Sequence, residues 1–327
     1  MDSLTAFLKH IHRIKIEVTN VCNAKCIFCA YRIMTRRKAL ISDTLYQSAI
    51  NQISEIGCEV LMLSPVVGDP LLHKSFPWHL QRASDLPGIG RIHFFTNLIG
   101  MATFNDEELY SILNDTDTII VSIAPNKKMY AELFGVDQFE NIVTSLNRVA
   151  SVCCTLKNKP FFVFEGRAKN GFEIDSRLQD VMNVFEGNSR LNWITKYSDW
   201  GGTIHAEDIS LQTGDRSRIC TVPCERALVP VVYTDGKVGL CACADYDQKM
   251  LIGDLNEERL DTILVSQKRR KYLELFKQGK VPPFCAKCTF YVPHPKAFDT
   301  WASLLNDDEQ NKGGCLQNSK LSFLARS

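Results

Sequence analysis

The sequence lacks an excess of charge of either sign. Its 327 residues include 38 lysines and arginines and 37 aspartates and glutamates, which gives a formal net charge of +1. Proteins that hold nucleic acid or an anionic membrane surface by electrostatic attraction usually carry a marked basic patch or excess. The near balance of charge therefore gives no support for a nucleic-acid or membrane partner.

Long hydrophobic runs are also missing. The N-terminal stretch MDSLTAFLKHIHRIKIEV contains no apolar segment long enough for a signal peptide. No stretch approaches the roughly 20 apolar residues that a membrane-spanning helix needs. We therefore expect a cytoplasmic protein, and the hydrophobic content of 45% is that of an ordinary globular chain.

Cysteine, in contrast, is abundant, with 13 residues in the chain. A reducing cytoplasm disfavours structural disulfides, and an odd count argues against a simple paired framework. Metal ligation is the better explanation for most of these thiols. Cys58, Cys153 and Cys154 are exceptions, because they lie at the ends of predicted elements and are expected in the core.

The first two hundred residues alternate between strand-like and helix-like periodicity. Each strand-like segment is followed by a helical pattern, and the six segments are 13–19, 58–64, 91–97, 117–124, 159–166 and 190–198. Six strand-then-helix units predict a parallel sheet with helical crossovers. Six are too few for a closed eight-stranded barrel, so we expect an α/β fold with a partial (β/α)6 TIM-like barrel or a doubly wound sheet.

The pattern changes after about residue 215. The stretch LVPVVYTDGKVGLCAC has the alternation of a hairpin, with Asp235 and Gly236 as its turn. A basic helix follows over 266–280, whose charges are expected to face solvent, with docking of a reductant as the alternative. We predict a barrel domain (1–215), a small cysteine-rich domain of hairpin and helix (216–290) and a tail (291–327).

Three cysteines follow the first strand directly, in a CxxxCxxC pattern formed by Cys22, Cys26 and Cys29. A loop in this position lies at the carboxyl end of a parallel sheet, where α/β proteins place their active sites. Thiolates suit zinc or iron–sulfur clusters, and no fourth ligand stands close in sequence. A [4Fe–4S] cluster with one iron left open is favoured over a zinc site completed from elsewhere or three unconnected thiols.

The motif CNAKCIFC, with Phe28 before its last cysteine, and the six-unit layout resemble the radical S-adenosylmethionine (SAM) superfamily. The resemblance implies that SAM chelates the open iron through its amino and carboxylate groups. It also implies reductive cleavage of SAM to a 5′-deoxyadenosyl radical, which takes a hydrogen atom from the substrate. Such chemistry needs an electron donor such as flavodoxin or ferredoxin.

The same resemblance assigns further positions to SAM. The stretch VGDP (67–70) stands where the family has GGEP, which implies that Gly68, Asp69 and Pro70 contact the SAM amino group. Val67 and Asp69 depart from the family form, and a plain strand-to-helix turn is the alternative. The other implied contacts are Phe28 at the adenine, Thr96 and Asn97 near the adenosyl group, Ser122 at the ribose and Arg167 near the carboxylate. For Ser122 and Arg167 the alternative is an ordinary polar residue at a strand end.

A second cysteine group consists of Cys224, Cys241, Cys285 and Cys288. Four thiolates from a hairpin and a distant CxxC make a closed site of zinc-ribbon or iron–sulfur type. The spacing resembles the auxiliary-cluster domain called SPASM. Because His294 stands where the full domain has a further cysteine, the shorter "twitch" form with one auxiliary [4Fe–4S] cluster fits better.

The fate of the substrate radical is open at this point, because one fold supports several reactions. Cys220 and Cys243 are candidate hydrogen-atom donors for inversion of a carbon centre, and Cys315 has no assigned role. The absence of a recognisable leader-peptide module favours oxidation or epimerisation of a small, sugar- or aminocyclitol-like molecule. Maturation of a ribosomal peptide by epimerisation or thioether formation is the alternative, and a non-enzymatic zinc scaffold is the alternative from another class.

Overall fold

A nine-stranded sheet organises the protein. This computed structural model describes residues 11–212 and 224–291. The strand order is β11-β10-β9-β1-β2-β3-β4-β5-β6, and β7 and β8 form a separate pair. The strands are β1 (Ile11–Ile16), β2 (Cys58–Met62), β3 (Ile89–Thr96), β4 (Thr118–Ile123), β5 (Phe161–Arg167), β6 (Ser189–Ile194), β7 (Lys196–Ser198), β8 (Ser210–Gln212), β9 (Val231–Val232), β10 (Lys237–Gly239) and β11 (Leu251–Asp254).

Strands β1 to β6 are parallel and adjacent in chain order. Lys15 is in register with Met62, and Met62 with His93, so the ladder advances regularly from strand to strand. Helical crossovers connect these strands, as parallel pairing requires. The predicted α/β fold with a partial barrel and a small C-terminal cysteine-rich segment is confirmed.

Helices cover the outer face of the sheet. They are α1 (Asp43–Ile56), α2 (Phe76–Ser84), α3 (Asp106–Asn114), α4 (Lys127–Phe134), α5 (Phe139–Cys153), α6 (Ser176–Asn183), α7 (Leu260–Leu264), α8 (Gln267–Lys277) and α9 (Pro283–Ala286). Ser42 caps α1 through its side chain, and Asn105 and Glu108 form a capping box at α3. Among the described residues, no helix combines the length and apolarity needed to cross a bilayer.

Helix α4 is a difference from the sequence prediction, which assigned no element to 127–134. Its eight residues are few for a helix that must be stable alone. Asn126 caps its first turn by accepting a hydrogen bond from the Met129 N–H, and Tyr130 and Leu133 are fully buried against the core. Tertiary packing therefore stabilises this helix, whose segment is too short to show a clear helical pattern in the sequence.

The two faces of β1 differ in polarity. Ile14 and Ile16 are fully buried in the core that the sheet forms with the helices. Lys15 and Glu17 alternate with them, so they lie on the opposite, inner face of the barrel. Polar side chains on an inner face of this kind mark a site rather than a core.

The hairpin of the C-terminal segment continues the same sheet. Strand β9 runs parallel to β1, with Lys15 opposite Val231 and Ile16 opposite Val232, and β10 returns antiparallel to β9. Gly236 turns the chain with a φ of +88°, in the left-handed region that glycine tolerates. The division of the chain at 215–216 stays a prediction, while the sheet extends from the barrel into the segment after it.

Two local predictions are corrected. The strand predicted over 190–198 is divided at Thr195, because Lys196–Ser198 leaves β5 and pairs with Ser210–Gln212 instead. The basic helix α8 does not direct all its charges to solvent. Arg269 is 4% exposed and donates a hydrogen bond to the Leu264 carbonyl, so this charge serves to close the end of α7.

Candidate functional site

The loop that carries the first cysteine group is held against the end of α4. The Lys25 N–H donates to the Phe134 carbonyl at 2.8 Å, and the Ile27 N–H donates to the Leu133 carbonyl at 2.9 Å. Gly135 follows with a φ of +68°, and a Cβ there would lie 2.7 Å from the Lys25 carbonyl oxygen. A glycine is therefore required for this close approach of loop and helix.

The three thiols of this loop are partly buried and form no disulfide. The Ala24 N–H points at the Cys22 sulfur at 3.5 Å, and the Tyr31 N–H points at the Cys29 sulfur at 3.4 Å. Burial raises the pKa of Cys22 to about 12, so these thiols need a metal or cluster to become thiolates. Backbone donors aimed at sulfur fit the second shell of an iron–sulfur cluster.

Asp69 organises the side of the loop that faces β3. Its carboxylate accepts hydrogen bonds from the Thr96 hydroxyl at 3.1 Å, the Asn97 N–H at 2.7 Å and the Leu71 N–H at 3.1 Å. Burial raises the pKa of Asp69 to about 6. The Asn97 side chain is thereby held 3.7 Å from the Cys22 sulfur. Asp69 thus positions Asn97 and Thr96, and its contact with SAM stays a prediction.

The stretch 67–70 lies directly on the cysteine loop. The Asp69 N–H donates to the Val21 carbonyl at 2.8 Å. Gly68 has a φ of +136°, and a Cβ there would lie 3.0 Å from the Asn20 backbone. Pro70 opens a short 3-10 turn, Pro70–Leu72. The structure thus places this stretch against the cysteine loop, and the contact with the SAM amino group that the resemblance implies stays a prediction.

An aromatic and charged wall closes the β5 side of the loop. The Phe28 ring stacks on Tyr197 at 5.0 Å between centroids, and the Arg167 guanidinium lies 5.3 Å from the Phe28 centroid. Arg167 pairs with Glu165, which stands opposite Ser122 in the sheet register. Burial raises the pKa of Cys26, and the charge of Arg167 opposes this shift. Arg167 is therefore placed to stabilise negative charge on the cluster thiols.

The second cysteine group is more deeply buried than the first. Its four side chains are each 7 to 8% exposed, and they are Cys224, Cys241, Cys285 and Cys288. The Cys288 N–H donates to the Cys285 carbonyl at 3.2 Å, which closes the CxxC turn. Burial raises the pKa of Cys241, and the neighbouring thiolates of Cys243 and Cys224 raise it further. Four buried thiols contributed by the C-terminal cysteine-rich segment suit a closed metal centre.

The spacing of the sulfurs bears on which metal fits. A single tetrahedral zinc ion with bonds of about 2.3 Å needs sulfurs about 3.8 Å apart. Among the described residues, the three-ligand group whose donor atoms all lie within 4.8 Å is Asp43, His73 and His79, and no three cysteine sulfurs meet that limit. Among the described residues, therefore, no three thiols form the compact group that a tetrahedral zinc ion would need.

The group of Asp43, His73 and His79 is a structural network rather than a metal site. His73 uses both ring nitrogens on the backbone, with Nε2 at 3.0 Å from the Ile41 carbonyl oxygen and Nδ1 accepting from the Ser75 N–H at 3.2 Å. Burial and the neighbouring His73 lower the pKa of His79 to about 4. His79 is therefore neutral, and its contact with Asp43 joins α2 to α1.

Sequence analysis missed the residues that connect the two cysteine groups. Glu17 is fully buried and accepts two hydrogen bonds of 2.8 Å from Arg36. Arg36 also donates to the Tyr246 carbonyl at 2.6 Å and lies 4.7 Å from the Tyr233 centroid. The available signal was the alternation of RIKIEV, which places charged residues on one face of a buried strand.

The two candidate hydrogen-atom donors differ in what the structure says of them. Cys243 is partly buried beside the second cysteine group, and its thiolate raises the pKa of Arg226. Cys220 lies outside the described residues, as do His294 and Cys315.

Comparison with known proteins adds a family match and distant relatives. Residues 220–289 match the SPASM model, described as an iron–sulfur cluster-binding domain. The GTP 3′,8-cyclase of Psychromonas ingrahamii is 22% identical over 191 residues, which cover 58% of this chain and 50% of the cyclase. The GTP 3′,8-cyclase of Pasteurella multocida is also 22% identical, over 58% of this chain and 51% of its own. The chain spans about half the length of these curated relatives.

Solved structures show the same fold. BtrN in complex with AdoMet and 2-DOIA has a TM-score of 0.57 at 17% identity, over 88% of this chain and 94% of BtrN. SuiB of Streptococcus suis bound to precursor peptide SuiA has a TM-score of 0.57 at 12% identity, over 86% of this chain and 70% of SuiB.

These findings define the class as an α/β partial barrel followed by an iron–sulfur cluster-binding segment. The resemblance seen in the sequence, to radical SAM proteins that carry a C-terminal SPASM-type domain, is confirmed. The predicted cofactors, SAM with a SAM-binding and an auxiliary [4Fe–4S] cluster, agree with this assignment.

Proposed function

We propose that this protein is a radical SAM enzyme that oxidises or epimerises a small polar molecule. The observation that carries the proposal is the position of β1 between the two cysteine groups. The carboxyl end of β1 leads into the loop of Cys22, Cys26 and Cys29. The edge of β1 opposite β2 pairs with β9 of the hairpin that precedes Cys241. A substrate on the inner face of β1 would lie between an open and a closed cluster.

The residues of the first group fit SAM and an open cluster. When bound, SAM and the reduced cluster would supply the 5′-deoxyadenosyl radical that removes a hydrogen atom from the substrate. Cys22, Cys26 and Cys29 would hold three irons, and Arg167 would face the negative charge of the thiolates and of a carboxylate. Phe28, stacked on Tyr197, offers an aromatic surface for a purine.

The residues of the second group fit a four-thiolate auxiliary cluster of the twitch type. Cys243 is a fifth thiol beside it and is more exposed than those four. A thiol in this place would donate a hydrogen atom to a substrate radical, which inverts a carbon centre. Without that donation, loss of one electron and one proton from the radical gives the oxidised product.

One other function has specific support. SuiB, with which this chain shares its fold, is solved with a precursor peptide, and anSMEcpe is solved with AdoMet and the Kp18Cys peptide. A peptide substrate is therefore the second candidate. A zinc scaffold is disfavoured by the match of residues 220–289 to an iron–sulfur cluster-binding domain. An electron donor such as flavodoxin or ferredoxin and a cytoplasmic location stay predictions.

Metal and cofactor analysis tests the proposal first. Anaerobically purified protein should contain about eight irons and eight sulfides per chain, and reduction in the presence of SAM should release 5′-deoxyadenosine. Zinc in place of iron would refute the enzyme assignment and support the scaffold.

Solvent isotope incorporation then separates the two reactions. With a panel of aminocyclitols and short peptides in D₂O, epimerisation should place deuterium at an inverted carbon, whereas oxidation should give a product two electrons poorer. Cys243→Ala should abolish inversion while SAM cleavage continues. Cys154→Ala is the matched control and should change neither outcome, because Cys154 is exposed at the end of α5, contrary to the prediction that it lies in the core.

A further inference from the structure

A tyrosine hydroxyl without a hydrogen-bond partner lies on the helix that holds the first cysteine group. Tyr130, on α4, is fully buried, with 0% of its surface exposed. Its hydroxyl oxygen is itself buried, and among the described residues no hydrogen-bond partner meets it. A hydroxyl that leaves water without gaining a partner costs free energy. A partner that the described chain does not supply is therefore expected at this place.

Two other tyrosines in the described part of the chain are equally buried, and both are paired. The Tyr46 hydroxyl donates to the His79 carbonyl, and the Tyr233 hydroxyl donates to the Asp245 carbonyl at 2.8 Å. A phenylalanine at position 130 would pack in the same place without the cost of a buried hydroxyl. The hydroxyl of Tyr130 therefore indicates a bound group rather than a need of the core.

Ring contacts connect Tyr130 to the cysteine loop. Its ring stacks on that of Phe134, with 4.4 Å between centroids and 2° between planes, and Phe134 meets Phe28 edge to face at 5.6 Å. The end of α4 also accepts hydrogen bonds from the N–H groups of Lys25 and Ile27. Tyr130 therefore lies one helical turn from the contacts that fix the position of the cysteine loop.

The negative groups near the phenol belong to the first cysteine group and its neighbour Asp69. Burial raises the pKa of Tyr130, and Cys26, Asp69 and Cys22 raise it further, in that order. The Asp69 carboxylate already accepts hydrogen bonds from three other groups. Backbone N–H groups point at the sulfurs of Cys22 and Cys29. Tyr130 thus brings a further donor to this group, on the side of Cys26.

We propose that the Tyr130 hydroxyl donates a hydrogen bond to a sulfur of the open cluster, the Cys26 thiolate or an adjoining sulfide, and thereby raises the reduction potential of that cluster. The inference rests on the proposed function, because it requires a cluster on Cys22, Cys26 and Cys29. Reduction adds one electron, and hence one negative charge, to the cluster. A hydrogen-bond donor stabilises the more negative form more strongly, and hydrogen bonds to sulfur are among the factors that set the potential of such clusters.

This hydrogen bond would act on the step before SAM cleavage. An electron donor of the flavodoxin or ferredoxin class is oxidised by one electron, and the open cluster is reduced by the same electron. A higher potential at the open cluster increases its reduced fraction in the presence of a given donor. Tyr130 would therefore make the first group easier to reduce without contacting the substrate.

The test is a redox titration followed by electron paramagnetic resonance, in the full-length protein with both clusters loaded. The signal of the open cluster is the one that changes when SAM is added. Tyr130→Phe removes only the hydroxyl, so it should lower the ratio of reduced to oxidised open cluster about threefold at a fixed potential, which corresponds to about 28 mV for one electron. After exchange into D₂O, pulsed resonance should also show the loss of an exchangeable deuteron at the reduced open cluster of this variant.

The matched control is Tyr46→Phe, which removes the hydroxyl of an equally buried tyrosine on α1. Its partner is the His79 carbonyl, so the substitution should leave both the ratio and the deuteron signal unchanged. An unchanged ratio in Tyr130→Phe with full iron content would overturn the inference. Equal shifts in the two variants would also overturn it, as would a shift that appears only with SAM bound, because SAM would then be the acceptor.

A fluorinated tyrosine keeps the test decisive if Tyr130→Phe loses its cluster. Site-specific replacement of Tyr130 by 3-fluorotyrosine retains the ring and makes the hydroxyl a stronger donor, so the ratio of reduced to oxidised open cluster should rise. The absence of a rise would contradict the inference. A wild-type protein with about four irons instead of about eight and no signal that responds to SAM would refute the open cluster itself, which is failure of the proposed function.

Discussion

The two cysteine groups differ in number, burial and surroundings. The first has three partly buried thiols in one loop, with an aromatic ring and an arginine on its β5 side. The second has four thiols from three separate segments, each below 9% exposure. The difference in burial accompanies a difference in completeness: three accessible thiols leave a ligand position for a cofactor, whereas four buried thiols can close a metal site.

The two cysteine groups are nevertheless connected through one sheet. Strand β1 leads into the first and pairs with the hairpin of the second. The Glu17–Arg36 pair and the hydrogen bond from the Trp200 indole to the Phe28 carbonyl, 2.9 Å long, join the surroundings of both. Some substitutions should therefore affect one cysteine group alone, and others should affect the contacts that connect the two groups.

Removal of a cysteine should have the largest effect and should separate the groups. Cys26→Ala should abolish 5′-deoxyadenosine formation, because the open cluster is lost, while about four irons remain on the second group. Cys285→Ala should lose a similar amount of iron but keep SAM cleavage. Iron counting and product chromatography measure both. Equal loss of cleavage in the two variants would contradict the division between an open and a closed site.

Disruption of the Glu17–Arg36 pair should destabilise the part of the fold that connects the two cysteine groups. Arg36→Met leaves a fully buried carboxylate without its partner and should lower the free energy of unfolding by about 3–5 kcal/mol. Chemical denaturation measures this. The double variant Glu17→Gln with Arg36→Met should recover part of the loss, since no uncompensated charge remains. Strictly additive losses would mean that the pair acts only through packing.

Asp69, which lies beside the first cysteine group, should make the free energy of unfolding depend on pH. Its pKa of about 6 in the folded protein exceeds the ordinary value of 3.8, so the folded state holds the proton more tightly than the unfolded state. The contribution of the Asp69 carboxyl to the free energy of unfolding is therefore lost as the pH rises through about 6. Relative to Asp69→Asn, the wild type should lose unfolding free energy between pH 5 and pH 7. A difference that is constant over this window would show that Asp69 is ionised throughout.

Trp200→Phe should have the smallest effect. It removes the hydrogen bond to the Phe28 carbonyl but keeps a ring near Tyr246 and Phe290. The expected loss is about 1 kcal/mol in unfolding free energy. Hydrogen exchange should quicken at the cysteine loop, and unchanged exchange there would mean that the indole contributes nothing to the loop's position.

Much of the fold was predictable because its signals are local. Period-two and helical patterns alternate along the chain, and all six predicted parallel strands are present. Helix α4 and the division at Thr195 were not predictable, since both depend on which neighbour a short segment meets. The prediction that the charges of the basic helix face solvent was wrong at Arg269 for the same reason, because the burial of Arg269 depends on its contact with α7.

The cysteine spacing and the loop after the first strand determined the class of chemistry, because ligand number and position are written in the chain. Tertiary structure alone decided what surrounds each group. Asp69 is bound to Asn97 and Thr96 across the sheet, and Lys15 lies opposite Val231, more than two hundred residues away in sequence. Such pairs form only when strands align, and their electrostatic strength comes from burial, which a sequence does not display.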